Sequence, residues 1–312
     1  MIIQTVTGAF PAADVTLADG HAHVWIEPPA GVAPEARLEL NHFDRIQAEL
    51  TAFRAAGGTL VVDCQPGGAG RDTRRARQLA EATGLWITTT TGFHQQKYYP
   101  PNGWLWPTTA EDAAIHFVEE LTIGTEESAG AIPATTIKVG YEGTIAGQTR
   151  VLMEAAAEAS RQTGALILFH TERGQNVEAL IPFFGDRGVP ASRLYICHVD
   201  KRPDAGLHRA LAQAGALLGY DTFARPKYDP DQGAWKLIAA LVATSGELPG
   251  IWSPAPGVAP GSVVRIAGTG LVARTEPRPD AEIAAELPDG GTVQISGDAV
   301  ASDSGLWWPV QV

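Results

Sequence analysis

Two histidines near the start of the chain are separated by a single residue. His21 and His23 lie in the segment TLADGHAHVWIEPP. On an extended strand, residues two apart point to the same side, so both imidazoles can converge on one point beyond the end of the strand. This is the geometry of a pair of metal ligands. Because so short a motif also occurs by chance, its meaning depends on the elements that position it.

Seven short apolar or β-branched runs alternate with longer segments in which apolar residues recur every three or four positions. The runs are TLADGHAHVWI, GTLVVDC, LWITTTTGF, ATTIKVG, ALILFHTE, RLYICHVD and ALLGYDTF. The segments between them predict helices, and each ends at a glycine suited to the left-handed conformation that closes a helix. This alternation predicts βαβ units, a parallel sheet and therefore an α/β fold.

Two architectures fit such an alternation, an open doubly wound sheet and a TIM-type (β/α)8 barrel. A nucleotide-binding open sheet is expected to carry a glycine fingerprint after its first strand, and DGHAHVWIEPP has none. The barrel is therefore favoured, and functional side chains of a barrel lie at the carboxyl ends of its strands. Five potential ligands belong to such strands, namely His21, His23, Lys138, His170 and His198.

The length of the chain and its net charge restrict the kinds of binding partner that we expect. The 312 residues suffice for one large domain and a small one. A formal net charge of -12 argues against a nucleic acid or an anionic membrane surface as partner, so we expect a small-molecule substrate. Cys64 and Cys197 lie inside apolar runs, where we expect buried thiols and no disulfide framework. Without a signal-like start or a run of about 20 apolar residues, the sequence predicts a cytoplasmic protein.

Several motifs match one known family in the same order. They are GHAHVWI, VVDC with GRDTRRARQLAEATG, TTGFHQQKYYP, IKVG, FHTERG and ICHVDKRPD. With these motifs, residues 1–246 resemble the phosphotriesterase family of the amidohydrolase superfamily. The resemblance implies a (β/α)8 barrel that holds two divalent metal ions, with zinc as the expected metal. It also implies hydrolysis of an ester by a metal-activated bridging water.

The resemblance assigns a role to each of the five potential ligands. His21 and His23 would hold the more buried metal, and His170 and His198 would hold the more exposed one. Lys138 would bridge the two, because the lysine of the fourth strand in this family is carbamylated by carbon dioxide and gains carboxylate-like oxygens. An unmodified ammonium has no acceptor atom and cannot bind a cation. From the residues alone, the favoured interpretation of Lys138 is a strand lysine whose amine reaches solvent.

The chain departs from the family pattern after residue 246. The family has an eighth strand there, which ends in an aspartate that binds metal and accepts a proton from the water. Residues 247–261 instead read ELPGIWSPAPGVAPG, a Pro/Gly/Ala-rich linker. The barrel is therefore predicted to lack its eighth strand, or to be completed by another subunit of a homo-oligomer. Asp221, at the end of the seventh predicted strand, is the nearby acid that could substitute as the base, or it caps the following loop.

Residues 262–312 change character to short strands punctuated by turn residues, which predicts a small all-β barrel. The pieces GLVARTEP, LPDGGTV and GLWWPVQV resemble the bacterial Src-homology-3-like domain. That resemblance implies a peptide or a cell-wall polymer as a ligand of this domain.

A cationic cluster follows the seventh predicted strand, in GYDTFARPKYDPD. Arg225, Lys227 and Tyr228 suit a phosphate or a carboxylate, although the cations could also pair with neighbouring aspartates in a solvated loop. With HVDKRPD, the cluster resembles the branch of the family that acts on phosphorylated sugar lactones. The sequence therefore predicts a metal-dependent hydrolase, a lactonase acting on a small lactone. The alternative is an impaired pseudo-enzyme or a binding module that keeps the metal site.

Overall fold

The structure is a computed structural model that describes residues 2–223, 233–243, 263–265, 271–276, 282–287, 292–296, 300–302, 305–307 and 310–311. The chain divides into two compact units, Met1–Pro230 and Asp231–Val312. Arg225, Lys227, Tyr228 and the predicted linker at 247–261 lie outside the described residues.

Each of the seven predicted runs contains a strand, and the third run contains two. A short antiparallel hairpin that was not predicted, β1 (Ile2–Thr5) with β2 (Gly8–Pro11), precedes them. The later strands of the first unit are β3 (Ala18–Ala22), β4 (Leu60–Asp63), β5 (Trp86–Thr88), β6 (Thr90–Phe93), β7 (Thr136–Tyr141), β8 (Leu166–Thr171), β9 (Leu194–Ile196) and β10 (Leu217–Leu218).

Helices follow these strands at the predicted places. They are α1 (Phe43–Ala55), α2 (Thr73–Thr83), α3 (Ala110–Thr122), α4 (Gly147–Thr163), α5 (Leu180–Gly185) and α6 (Ala205–Gln213). Helix α2 shows why the helix boundaries could be predicted from the sequence. Asp72 accepts hydrogen bonds from the first backbone N–H groups of the helix, and Gly84 ends it with a φ of 70°. A side-chain acceptor at the start and a glycine at the end satisfy groups that the helix itself leaves unpaired.

All strand pairs from β3 onward in the first unit are parallel. Strands β3, β4 and β5 form one sheet, and β6, β7, β8, β9 and β10 form the other in that order. The predicted α/β fold with parallel sheets is therefore confirmed. In the described part of the chain, no strand pairs with the outer edge of β3 or of β10. Neighbouring parallel strands have their carboxyl ends at the same edge of the sheet, and the histidines lie at that edge.

Strand β7 shows how the two faces of the sheet differ. Ile137 and Val139 are fully buried in the main apolar core, which also contains residues of α3, α4 and α5. Lys138 points to the opposite face, as the two-residue period of a strand requires. It pairs in register with Leu168, which packs with Cys64 and Cys197. Both cysteines are buried and free, as expected from their apolar surroundings.

The second unit is described only in short pieces. Helix α7 (Gly233–Ala243) belongs to the second unit. The sequence predicts this helix as part of the first domain. The predicted domain boundaries therefore remain a prediction. The strands of the second unit, all of whose described pairs are antiparallel, are β11 (Val263–Arg265), β12 (Leu271–Arg274), β13 (Ile283–Leu287), β14 (Thr292–Ile295), β15 (Val300–Ser302), β16 (Gly305–Trp307) and β17 (Val310–Gln311). Across all the described residues, no helix has the length and apolar character needed to cross a bilayer.

Candidate metal centre

Three of the five predicted ligands converge at the carboxyl ends of β3, β8 and β9. One nitrogen from each of His21, His170 and His198 can be chosen so that all three lie within 4.8 Å of one another. The ring of His198 lies 4.7 Å from that of His21 and 4.8 Å from that of His170, centroid to centroid. Three imidazoles at this spacing can act as ligands of a single cation.

The facing nitrogens of His170 and His198 give the clearest indication of what the cluster binds. His170 Nδ1 and His198 Nε2 lie 3.1 Å apart. On the outer sides of the two rings, Glu172 Oε1 lies 3.5 Å from His170 Nε2 and Asp221 Oδ2 lies 2.5 Å from His198 Nδ1. A carboxylate beside a neutral imidazole favours the ring form whose proton is on the nitrogen that it faces. In that form both inner nitrogens present lone pairs to each other, an arrangement that a shared cation would stabilise.

Burial opposes a proton at this position. Desolvation by burial, with the nearby positive charge of Lys138 among the weaker causes, lowers the pKa of His170 to about 4. The same main cause lowers the pKa of His23 to about 3 and moves that of His21 further down. These imidazoles are therefore neutral at physiological pH, which is the form that binds metal ions. In addition, His21 Nδ1 is buried without a hydrogen-bond partner.

Lys138 lies beside this cluster, fully buried in the middle of β7. Its Nζ is 3.4 Å from His21 Nε2, and no carboxylate of the described residues forms an ion pair with it. Gly92 of β6 lies so close that any β-carbon there would clash with the Lys138 backbone. An ammonium without a counter-charge is costly to bury in such a position. The donors that fit a divalent metal ion are therefore the neutral histidine nitrogens of the cluster.

The backbone at Asp221 is held by a buried acid, Asp200, on the segment between β9 and α6. Asp200 Oδ2 accepts hydrogen bonds from the backbone N–H groups of Asp221 and Thr222, at 3.0 and 2.8 Å. His198 has a left-handed backbone with a φ of 62°. Few residues other than glycine adopt this conformation, and exceptions are concentrated at functional sites.

His23 stands apart from the three-histidine group. Its Nδ1 lies 2.7 Å from Oε1 of Gln65, which follows β4. Its ring is 5.9 Å from the ring of His21. The structure thus places His21, Lys138, His170 and His198 together, and His23 beside them with a polar partner of its own. Nothing is described of Arg225, Lys227 or Tyr228.

His94 was missed in the sequence, although it follows the third predicted strand as directly as the other histidines end theirs. It is buried, and its ring lies 4.6 Å from those of His170 and Tyr98. Its Nδ1 accepts a hydrogen bond from the Gln95 N–H at 2.7 Å, so a neutral ring carries its proton on Nε2. A cavity of about 140 Å³ adjoins these residues; its lining comprises His23, Ile26, Pro28, Ala36, Leu38, Gln65, Ala69, His94, Tyr98 and His170.

Comparison with known proteins agrees with this geometry. The family model described as "Phosphotriesterase family" matches residues 1–247 of this chain. A phospho-furanose lactonase of Mycoplasmopsis synoviae is 28% identical over 257 residues, covering 77% of this chain and 72% of its own. A phosphotriesterase homology protein of Mycobacterium tuberculosis is 30% identical over 254 residues, covering 77% and 76%. The crystal structure of a lactonase from Listeria monocytogenes superposes with a TM-score of 0.72 at 25% identity, covering 78% and 79%. The chain therefore belongs to the phosphotriesterase family.

Proposed function

We propose that this chain is a divalent-metal-dependent hydrolase that opens a small lactone, with a phosphorylated sugar lactone as the expected substrate. The observation that carries the proposal is the facing pair of nitrogens on His170 and His198, together with an acid beside the outer nitrogen of each ring. The names of the lactonase relatives support the choice of reaction.

Two divalent ions, with zinc as the expected metal, are proposed to occupy the site. His21 and His23 would hold one, His170 and His198 would hold the other, and a carbamylated Lys138 would lie between them. When bound, such ions lower the pKa of a water molecule toward neutrality and polarise the carbonyl group that is attacked.

The remaining polar groups are proposed to orient and to move protons. Glu172 and Asp221, which lie beside the outer ring nitrogens of His170 and His198, would hold the protons of these rings there. Asp221 is also proposed to substitute for the missing eighth-strand acid. Its side chain is 29% exposed, which leaves it open to exchange a proton with solvent. The His94 Nε2–H group is a donor available to an oxygen of a substrate in the adjoining cavity.

The proposal extends to the parts of the chain that support the site. The fold would be a (β/α)8-type barrel without its eighth strand. Residues 262–312 would form a Src-homology-3-like β domain that binds a peptide or a cell-wall polymer. Arg225, Lys227 and Tyr228 would select an anionic substituent of the lactone.

Metal analysis combined with an activity screen tests the hydrolase directly. Purified protein should contain bound divalent metal and should release acid from a panel of lactones, with the phosphorylated sugar lactones preferred. A chelator should abolish turnover and added zinc should restore it. Lactone turnover that persists in metal-free protein would contradict the proposal.

A second function is favoured by the open edges of β3 and β10, against which the described residues place no further strand. If the eighth strand and its acid are missing altogether, the chain would keep its metals and bind a ligand without hydrolysing it. Bound metal with no turnover of any lactone in the panel would support this binding module over the hydrolase.

A further inference from the structure

The side chain of Gln65 is fixed in one orientation by its surroundings. It is 4% exposed, and its Nε2 donates a hydrogen bond to the Ala69 carbonyl at 2.5 Å. Only the amide nitrogen can donate, so the amide oxygen must point the other way. That oxygen, Oε1, lies 2.7 Å from His23 Nδ1.

The orientation of the amide determines which nitrogen of His23 carries the proton. An amide oxygen is an acceptor only, so the ring must donate from Nδ1. In the neutral ring that donates from Nδ1, Nε2 keeps its lone pair. Glutamine at this position therefore presets the ring form in which Nε2 can bind a cation.

Three further hydrogen bonds hold the loop that carries Gln65 and connect it to the segment that follows His23. Asp63 Oδ1 accepts hydrogen bonds from the backbone N–H groups of Val24 and Gln65, both at 3.2 Å. At the far end of the loop, the Glu27 N–H donates to the Gly70 carbonyl at 2.9 Å. Gly70 has a φ of +103°, and a β-carbon there would meet the Glu27 backbone at 3.0 Å. The two segments are thus held in a fixed register.

From this geometry we infer that Gln65 is a positioning residue for the metal centre, which holds His23 in its Nδ1–H form so that Nε2 is available to a divalent ion. The inference rests on the proposed function, because it assumes that His23 binds metal. Gln65 would thus support the site through its hydrogen bond to His23 and not through contact with the ion.

The test compares zinc affinity with the protonation of His23 in metal-free protein. Gln65→Leu removes both hydrogen bonds, and we expect zinc affinity, measured by competition with a chromophoric chelator, to fall about 10–100-fold. In nitrogen-15 spectra of metal-free protein, the proton of His23 should move from Nδ1 toward Nε2. Gln65→Glu keeps an acceptor for His23 and should bind zinc within about threefold of wild type.

Gln148→Leu is the matched control, because Gln148 donates from its amide to the Thr108 carbonyl at 2.8 Å, and neither of its side-chain hydrogen bonds in the described part of the chain involves a histidine. It should change neither zinc affinity nor the His23 signal. Equal losses in Gln148→Leu and Gln65→Leu, or a loss in Gln65→Glu as large as in Gln65→Leu, would overturn the inference. So would wild-type affinity in Gln65→Leu. Wild-type protein that binds no zinc would instead overturn the proposed function, and the His23 spectra would still decide whether Gln65 sets the ring form.

Discussion

The carboxylate of Asp221 lies 2.5 Å from Nδ1 of His198, while the opposite nitrogen of the same ring faces His170 at 3.1 Å. Asp221 therefore acts on the cluster through a ring that it orients. Asp221→Asn keeps the size of the side chain but removes its charge, so we expect zinc affinity to fall about 10-fold and lactone turnover to fall with it.

Chelator competition and initial rates measure both effects of Asp221→Asn. Glu158→Gln is a suitable control, because it removes a surface carboxylate whose partner is Arg161. Turnover at the rate of wild type in Asp221→Asn would show that neither the charge on this acid nor its proton is needed.

Removing a direct ligand should have a larger effect than removing an outer partner. His170→Ala should lose metal more severely than the ~10–100-fold expected for an outer partner, because its Nδ1 belongs to the facing pair. Metal content after extensive dialysis measures the loss. His42→Ala, at an exposed position before α1, should retain the metal content of wild type. Full metal occupancy in His170→Ala would remove this histidine from the centre.

The modification of Lys138 can be observed directly. Protein loaded with zinc in carbon-13-labelled bicarbonate should show a carbamate carbon resonance, because Lys138 is buried beside the histidines and no carboxylate of the described residues forms an ion pair with it. Lys138→Met should lack the resonance and should bind metal more weakly. A metal-loaded wild-type protein without the resonance would mean that the lysine is not carbamylated.

The buried histidines should make metal-free protein sensitive to mild acid. The pKa of His170 is lowered from 6.5 to about 4 and that of His23 to about 3, chiefly by burial. Below about pH 6.5 the unfolded chain binds protons that the folded chain does not, so the free energy of unfolding falls as the pH drops toward 4. Each unit of pKa shift corresponds to about 1.4 kcal/mol.

Denaturant titrations of the metal-free protein at several pH values measure the slope of the free energy of unfolding against pH. His170→Gln should flatten it, since one of the titrating groups is gone. A free energy of unfolding that does not change between about pH 7 and pH 5 would contradict the predicted linkage.

The predicted anion site can be tested by kinetics. Arg225→Ala should raise KM much more for a phosphorylated lactone than for its unphosphorylated analogue, because a guanidinium contributes most to binding a doubly charged group. An equal change for both substrates would argue for a solvated loop. The matching variant Lys227→Ala should give a smaller change in the same direction, since its ammonium offers a point charge only.

The histidines at strand ends were predictable because strand period and strand order are local properties of the sequence. His21, His170 and His198 follow from the apolar runs that precede or contain them. His94 could have been found by the same criterion, since it comes directly after the third run.

The partners of the histidines were not predictable, because they depend on how separate segments fit together. Gln65 lies 42 positions from His23, and their contact depends on the register of β3 with β4. Asp221 was nominated from the sequence as a base, but the sequence did not show that it and Glu172 would each face a histidine ring nitrogen. The hairpin of β1 and β2 was missed for another reason, because its strands are four residues long and lack a clear alternation.

The left-handed backbone at His198 has a consequence for anyone who redesigns this scaffold. A non-glycine residue in that conformation costs roughly 1 kcal/mol relative to glycine, so selection for thermal stability alone would favour glycine at this position. The substitution most attractive to a stability screen would therefore delete a member of the three-histidine group. A library of variants intended to stabilise the chain should therefore keep histidine at position 198, although its backbone conformation is strained.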